Sequence, residues 1–201
     1  MDIEFKNSKK PVNYEKALKL LEKRVNEVKK GGRELVWFLE HPTTYTAGIR
    51  YKKEEILDKS INIVKTNRGG KITLHNPGQK IVYFVLDLNR RKKNIRNLVR
   101  EIENIIVEFL KVYKIKSYAD KKNIGIWVKK KKIAAIGIRV SRWVAYHGFS
   151  INIKNNLDDY KKIVPCGLDN NRVTSIKNEK IIPFGIKKKL KKILFNHLSN
   201  V

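Results

Sequence analysis

The only cysteine of the chain, Cys166, sits in the tripeptide Pro165-Cys166-Gly167. Two other residue types could act with it. Lys132 is the last of four consecutive lysines and adjoins the apolar run Ile133-Ala134-Ala135-Ile136-Gly137, and His147 lies in Tyr146-His147-Gly148. A thiol, an amine beside an apolar strand and an imidazole next to glycine can make an acyl-transfer site. An ordinary cysteine has a pKa of about 8.5 and is mostly protonated at neutral pH. It becomes a useful nucleophile only beside a base or a positive charge. A lysine drawn out of water loses affinity for its proton and can serve as that base.

The residue types alone leave plainer readings open. A lone cysteine is most often a small buried hydrophobe. Four lysines in a row usually form a solvated turn, and Lys132 stands apart only because it is the one that meets the apolar segment.

The elements that must position these groups follow from the hydropathy pattern. Tyr14, Leu18, Leu21, Val25 and Val28 predict a helix over residues 11–30, ended by Gly31-Gly32. Residues 35–39 read as a strand buried on both faces. Glu40-His41-Pro42 interrupts it, His41 reading as structural, and residues 43–48 resume an extended path. Residues 52–60 read as loop or short helix and 61–66 as a strand. Residues 71–75, bracketed by Gly69-Gly70 and Asn76-Pro77-Gly78, suggest a short hairpin or folded-over loop. Residues 80–88 predict a central strand. Ile95, Leu98, Val99, Ile102, Ile105, Ile106, Phe109 and Leu110 mark one face of a helix over 94–113. Residues 123–128 and 133–140 predict paired strands with lysines 129–132 at the turn, followed by a strand over 143–153. A short helix is expected over 157–163. Pro183 opens a C-terminal helix with Leu190, Ile193, Leu194 and Leu198 inward. The pattern implies one α+β domain over residues 1–201, a mixed, mostly antiparallel sheet covered by helices.

Composition narrows the function. The chain has 201 residues and a formal net charge of +27. Such charge fits nucleic-acid binding, attraction of an acidic protein, or a biased lysine-rich composition. The lysines are spread along the chain, which argues against a specific nucleic-acid site. No apolar run approaches a membrane span, and the N-terminus carries no signal-like segment. One cysteine excludes an internal disulfide and points to a reducing, cytoplasmic setting. Scattered histidines lack zinc-ligand spacing, and no Walker-type or GxGxxG loop occurs, so no metal or cofactor is expected.

Six motifs in order resemble the lipoyl(octanoyl) transferase family, which shares its fold with lipoate- and biotin-protein ligases. They are Glu40-His41-Pro42 with Tyr45-Thr46-Ala47-Gly48; Arg68-Gly69-Gly70 with Thr73, His75, Pro77, Gly78 and Gln79; Gly125-Ile126-Trp127-Val128; Lys132 to Gly137; Trp143 to Phe149; and Pro165-Cys166-Gly167. Asn76, Leu74, Ala145 and Ser150 depart from the pattern, and Leu74 and Asn76 are placed to reshape the mouth of an acyl pocket.

The resemblance implies a two-step transfer. Lys132 takes the proton of Cys166, the thiolate accepts an octanoyl group from octanoyl-acyl carrier protein, and a lysine of a lipoyl domain then receives it. It also implies a substrate-binding set: Arg68, Gly69, Gly70, Lys71, Ile72, Thr73, Leu74, His75, Ala135, Ile136, Gly137, Gly148, Phe149 and Ser150, with His147 in support as a hydrogen-bonding wall. The acceptors implied are lipoyl domains of 2-oxoacid dehydrogenase complexes or the glycine cleavage H protein, and the chain acts as a monomer. The competing readings are an ATP-dependent lipoate-protein ligase on the same fold, a nucleic-acid-binding module, and a non-catalytic paralogue.

Overall fold

The computed structural model describes residues 2–120, 123–164, 173–179 and 184–198. Among them, seven strands form one sheet in the order β1-β2-β6-β10-β9-β8-β7. These are β1 (Ile3–Asn7), β2 (Glu34–Leu39), β6 (Gln79–Asp87), β7 (Tyr118–Ala119), β8 (Ile126–Val128), β9 (Lys131–Ser141) and β10 (Val144–Asn152). Only β1 and β2 pair in parallel; the other neighbours run antiparallel. A second, three-stranded sheet has the order β4-β3-β5, from β3 (Thr44–Ala47), β4 (Ile63–Lys65) and β5 (Ile72–His75). The expected mixed, mostly antiparallel α+β architecture is present.

The central strands separate two apolar layers because alternate side chains point to opposite faces. Val36, Phe38, Val82, Phe84 and Leu86 face α2 (Ile95–Val112) and α3 (Ile186–Leu198). Leu35, Trp37, Leu39, Ile81, Tyr83 and Val85 face α1 (Tyr14–Lys29). The unbroken apolar run of β2 is thus buried on both sides, as its composition predicts. Asn13 caps α1 by accepting from Lys16 N–H at 3.0 Å, and Asn94 caps α2 by accepting from Asn97 N–H at 3.0 Å. The helix expected over 94–113 and the inward Leu190, Ile193, Leu194 and Leu198 of α3 are observed; Pro183 lies outside the described residues.

Three local expectations are corrected. Lys131 and Lys132 belong to β9, and only Lys129 and Lys130 form the turn, at φ 47° and 66°. Trp143 is likewise a turn residue, with Arg142 at φ 51° and Trp143 at 63° joining β9 to β10. Both two-residue turns need left-handed backbone, yet neither carries the Asn-Gly or Asp-Gly signal that usually announces one. Third, β5 is not a hairpin arm: it pairs with the distant β3, Thr46 opposite Thr73. Strands β1 and β7 had no counterpart in the sequence reading. The alternation in β1 is short, and β7 has two residues.

Helix α3 is fastened to α2 by His197. Its Nδ1 and Nε2 lie 2.9 and 2.8 Å from Glu101 and Glu108. Partial burial opposes charge on the ring, but the two carboxylates outweigh it and raise the pKa above the usual value. The folded state therefore holds this proton more tightly than the unfolded chain. That stabilisation is complete below the unfolded pKa of about 6.5 and disappears as pH rises through the raised value. Replacing His197 by Gln should lower the melting temperature near pH 6 and have little effect near pH 9, read by thermal unfolding of both proteins at each pH.

Candidate active site

A cavity of about 540 Å³ opens where the small sheet leans on β9 and β10. Its walls include Arg68, Gly69, Gly70, Lys71, Thr73 and His75 from the glycine loop and β5. They also include Lys132, Ala135, Ile136 and Gly137 from β9 and His147, Gly148, Phe149 and Ser150 from β10. Its volume falls within the ~300–1,000 Å³ typical of small-ligand sites. Ile72 and Leu74 are elsewhere. They alternate with Thr73 and His75 along β5 and turn into a separate cluster with Tyr45, Tyr160 and Ile163. The expectation that Leu74 shapes the mouth of the pocket is therefore corrected. Asn76 is also committed elsewhere, donating to Asn156 O at 2.7 Å and Asp159 Oδ2 at 2.9 Å.

Lys132 is buried, 7% exposed. A bulge sets it there: Ile126 opposes Ala134 while Trp127 opposes Lys132, so Ile133 is an extra residue on β9. Its carbonyl accepts from Thr174 N–H at 2.9 Å, and Val173 pairs with it in parallel. A cleft of about 20 Å³, the size of one water, joins Lys132 to Thr73, Ser150 and Val173. Cys166 lies outside the described residues. The flanking chain is described on both sides: Val164 N–H donates to Glu55 O at 2.8 Å, and Val173 lies beside Lys132.

Arg68 is 8% exposed and spends its guanidinium on the protein. Nη2 donates to Thr46 O at 2.8 Å and to Thr46 Oγ1 at 2.9 Å, and Nη1 donates to Gly69 O at 3.1 Å. Lys71 pairs with the buried Glu55 at 2.7 Å. These contacts tie the glycine loop to β3 and to the turn at residues 53–55.

The cavity floor is polar and aromatic. His41 Nδ1 donates to Val12 O at 2.5 Å, which leaves Nε2 to accept from the Tyr83 hydroxyl at 2.9 Å. Gln79 Nε2 donates to Leu74 O and Asn152 Oδ1, so its Oε1 accepts from His75 Nδ1 at 2.6 Å. The Tyr14 ring stacks on His75, and Tyr14 and Tyr83 join the lining. Burial drives the pKa of His41 down to about 4 and those of His75 and His147 to about 3. The positive charge of Arg68 adds to the effect at His75 and His147. All three rings are neutral near pH 7. A proton carrier needs a pKa near the working pH, so His75 and His147 act as hydrogen-bonding walls and His41 supports the Tyr83 hydroxyl.

His147 reaches this floor by a break in strand geometry. Neighbouring residues of a regular strand point to opposite faces. Here φ of +70° at His147 brings its ring against Tyr146, stacked at 4.8 Å, and near Tyr83 at 6.4 Å. His147 Nε2 then meets Asn67 Oδ1 at 2.9 Å, and Nδ1 is buried with no hydrogen-bond partner among the described residues. Gly148 follows at φ +157°, where a methyl group would overlap Val82 O. Tyr14, Tyr83 and Asn67 were not singled out by the sequence reading as site residues. The signal available was a tyrosine inside an otherwise apolar run, because a buried hydroxyl must find a partner.

Gly148→Ala should destabilise the protein by more than ~3 kcal/mol, since backbone is in the way and the conformation is left-handed. Gly137→Ala should cost no more than ~1 kcal/mol, because the added carbon meets Arg68 Cδ at 3.4 Å and Gly69 O at 3.5 Å. Denaturant unfolding of the two variants gives the comparison.

A family model described as the lipoyl protein ligase A/B catalytic domain matches residues 13–196. The chain is 46% identical over 184 residues to an octanoyltransferase of Anaplasma phagocytophilum, covering 88% of each chain. It is 46% identical over 182 residues to one of Ehrlichia chaffeensis, covering 87% of this chain and 85% of the relative. Among solved structures, a T. acidophilum protein with bound lipoic acid superposes with a TM-score of 0.81 at 16% identity, covering 99% and 87% of the two chains. A lipoate-protein ligase A bound with ATP gives 0.78 at 16%, covering 99% and 86%. At that identity the two structures establish the shared fold. The matched residues and the curated relatives together place the chain: it belongs to the lipoyl protein ligase A/B catalytic-domain family.

Proposed function

We propose that this chain is an octanoyltransferase whose 201 residues act as one catalytic domain. It moves an octanoyl group from octanoyl-acyl carrier protein to a lysine of lipoyl domains or of the glycine cleavage H protein, as a cytoplasmic monomer. The observation that carries this reading is the gathering of Lys132, the Arg68–Lys71 loop, Thr73, His75 and the Gly148–Ser150 stretch around one cavity, with Val173 beside Lys132. The chain enters the Cys166 stretch at Val164 and leaves it next to this amine. The relatives named octanoyltransferase supply the acyl group.

Lys132 takes the proton of the Cys166 thiol. The thiolate attacks the donor thioester carbonyl, the carrier thiol leaves with the proton, and an acyl-cysteine remains. The acceptor amine then attacks that thioester, Lys132 takes its proton, and the Cys166 thiol is restored as the amide forms. Exchange of one thioester for another is nearly even in free energy, so no nucleotide has to drive it. Dividing the transfer lets two protein substrates use the cavity in turn. Backbone amides on the free edge of β9 along Ala135–Gly137 stabilise the oxyanion, each such donor being worth ~3 kcal/mol, whereas those of Gly148–Ser150 are taken up by pairing with β6 and β9. Gly69 and Gly70 form one side of the acyl channel and Ile136 and Phe149 another.

The ligase reading draws on the ATP-bound fold neighbour; a ligase forms an adenylate and needs no cysteine. Incubation with octanoyl-carrier protein without ATP should add one octanoyl group to the native chain by intact mass and none to Cys166→Ala. Lys132→Ala should slow that acylation by about 10³-fold. A strict need for ATP would sink the transferase reading.

Charge gives a second test. With 46 basic and 19 acidic residues, the protein attracts an acidic carrier protein at long range. Raising ionic strength from about 0.05 to 0.5 M should lower the second-order rate of acylation, because screening shortens the reach of the field. The rate at saturating donor should stay the same.

A further inference from the structure

The Gly125-Ile126-Trp127-Val128 stretch has been given no role so far, and its geometry points at Lys132. The indole N–H of Trp127 donates to Asn123 O at 2.9 Å, closing a tight turn over residues 123–127. Gly125 sits at the apex with φ +140°. A methyl group on Gly125 would overlap the Cε of Lys132, lie 2.6 Å from Ala134 O and 3.1 Å from the Lys132 nitrogen. The lysine stem therefore crosses the gap that the missing side chain leaves. Beneath it lies the Trp127 ring, buried at 4% exposure, with the Lys132 nitrogen 5.7 Å from its centroid. That is within cation–π range. The bulge at Ile133 is the third part, because it places Lys132 opposite Trp127. Asn123 and Ile124 reach the cavity wall from the same turn.

We propose that the turn Asn123–Trp127 is a cradle that holds the Lys132 amine in line with the acyl-transfer site, with Gly125 and Trp127 as positioning residues. The proposal rests on the reading of Lys132 as the proton acceptor. A four-carbon side chain has many rotamers, and a base must be held to within a fraction of an ångström to be effective. Gly125 opens the one path by which the stem reaches this depth, since any side chain there would collide with the stem and with backbone and push the amine out of place. Trp127 fixes the depth of the nitrogen with an apolar face, which makes no hydrogen bond to the amine.

The test is a double-mutant cycle read in single-turnover acylation of Cys166 by octanoyl-carrier protein, followed by intact mass. Gly125→Ala is expected to slow acylation by about 100-fold, with half-saturation by the carrier protein unchanged. In a Lys132→Ala background the same change is expected to slow it no further, because there is no amine left to misplace. The pH midpoint for alkylation of Cys166 by iodoacetamide should move the same way in Gly125→Ala as in Lys132→Ala. Trp127→Leu is expected to behave like Gly125→Ala, and Trp127→Phe, which keeps a ring face, to recover most of the rate. These two variants carry the test if Gly125→Ala does not fold, as judged by circular dichroism.

Equal losses from Gly125→Ala or Trp127→Leu in the native and Lys132→Ala backgrounds would overturn the cradle, leaving a general effect on folding. So would a native rate in both single variants. A native rate in Lys132→Ala itself is a different failure: it removes the base reading first, and the cradle with it.

Discussion

A regular β-strand sends neighbouring side chains to opposite faces, and this molecule needs several of them on one. The cavity depends on that constraint being broken at two places. In β10, the left-handed backbone at His147 puts its ring on the same side as Tyr146. Such a conformation costs on the order of 1–2 kcal/mol for a residue with a side chain. Pairing on both flanks, with Ile138 on β9 and Phe84 on β6, holds it in place. Gly148 next to it permits the close approach of β10 to Val82. In β9, the extra residue Ile133 shifts the phase of the strand and aligns Lys132 with Trp127. Without these two irregularities, β9 and β10 would be a plain hairpin with an apolar face toward α2.

Bringing polar rings under the sheet creates an electrostatic requirement that the surrounding residues meet. A buried imidazolium is strongly disfavoured, the more so at His75 and His147 where Arg68 adds its charge, and the three rings respond by losing their protons. Neutral histidine has one donor and one acceptor, so each tautomer must be specified. The Val12 carbonyl specifies it for His41 and the Gln79 amide oxygen for His75. Gln79 can do this because its NH₂ is itself held by Leu74 O, Asn152 and Tyr160. Fixing one amide thus fixes the floor. His197 shows the opposite balance: two carboxylates and only partial burial keep its proton on.

Much of this was legible in the chain. The helices and the central strands carry long apolar periods, and tertiary contacts had no reason to override them. Lys132 could be singled out because an apolar run begins right after it, and its burial follows from that. Ile72 and Leu74 show the limit of motif reading: a contiguous motif on a strand lines a cavity only at every second residue. The turn at Lys129-Lys130 was expected but taken two residues too long, and the one at Arg142-Trp143 was missed, because left-handed positions are occupied by residues that do not advertise them. The strand β4 and the extended path of β3 were expected, but their parallel pairing was not, since parallel pairing leaves no local mark in the sequence.

Arg68 illustrates how a site residue can act without meeting substrate. The family resemblance places it in the substrate-binding set. Its donors are directed at Thr46 and Gly69, inside the protein, and its stem packs near Gly137. The charge is still felt across the floor, where it helps keep His75 and His147 neutral. Holding the loop and setting the field are one function here, because the guanidinium that clamps β3 to the glycine loop is also a fixed cation whose charge both rings feel. A lysine at this position would keep a positive charge but could not span Thr46 and Gly69 with a planar fork. The geometry of the loop, more than its charge, therefore requires arginine.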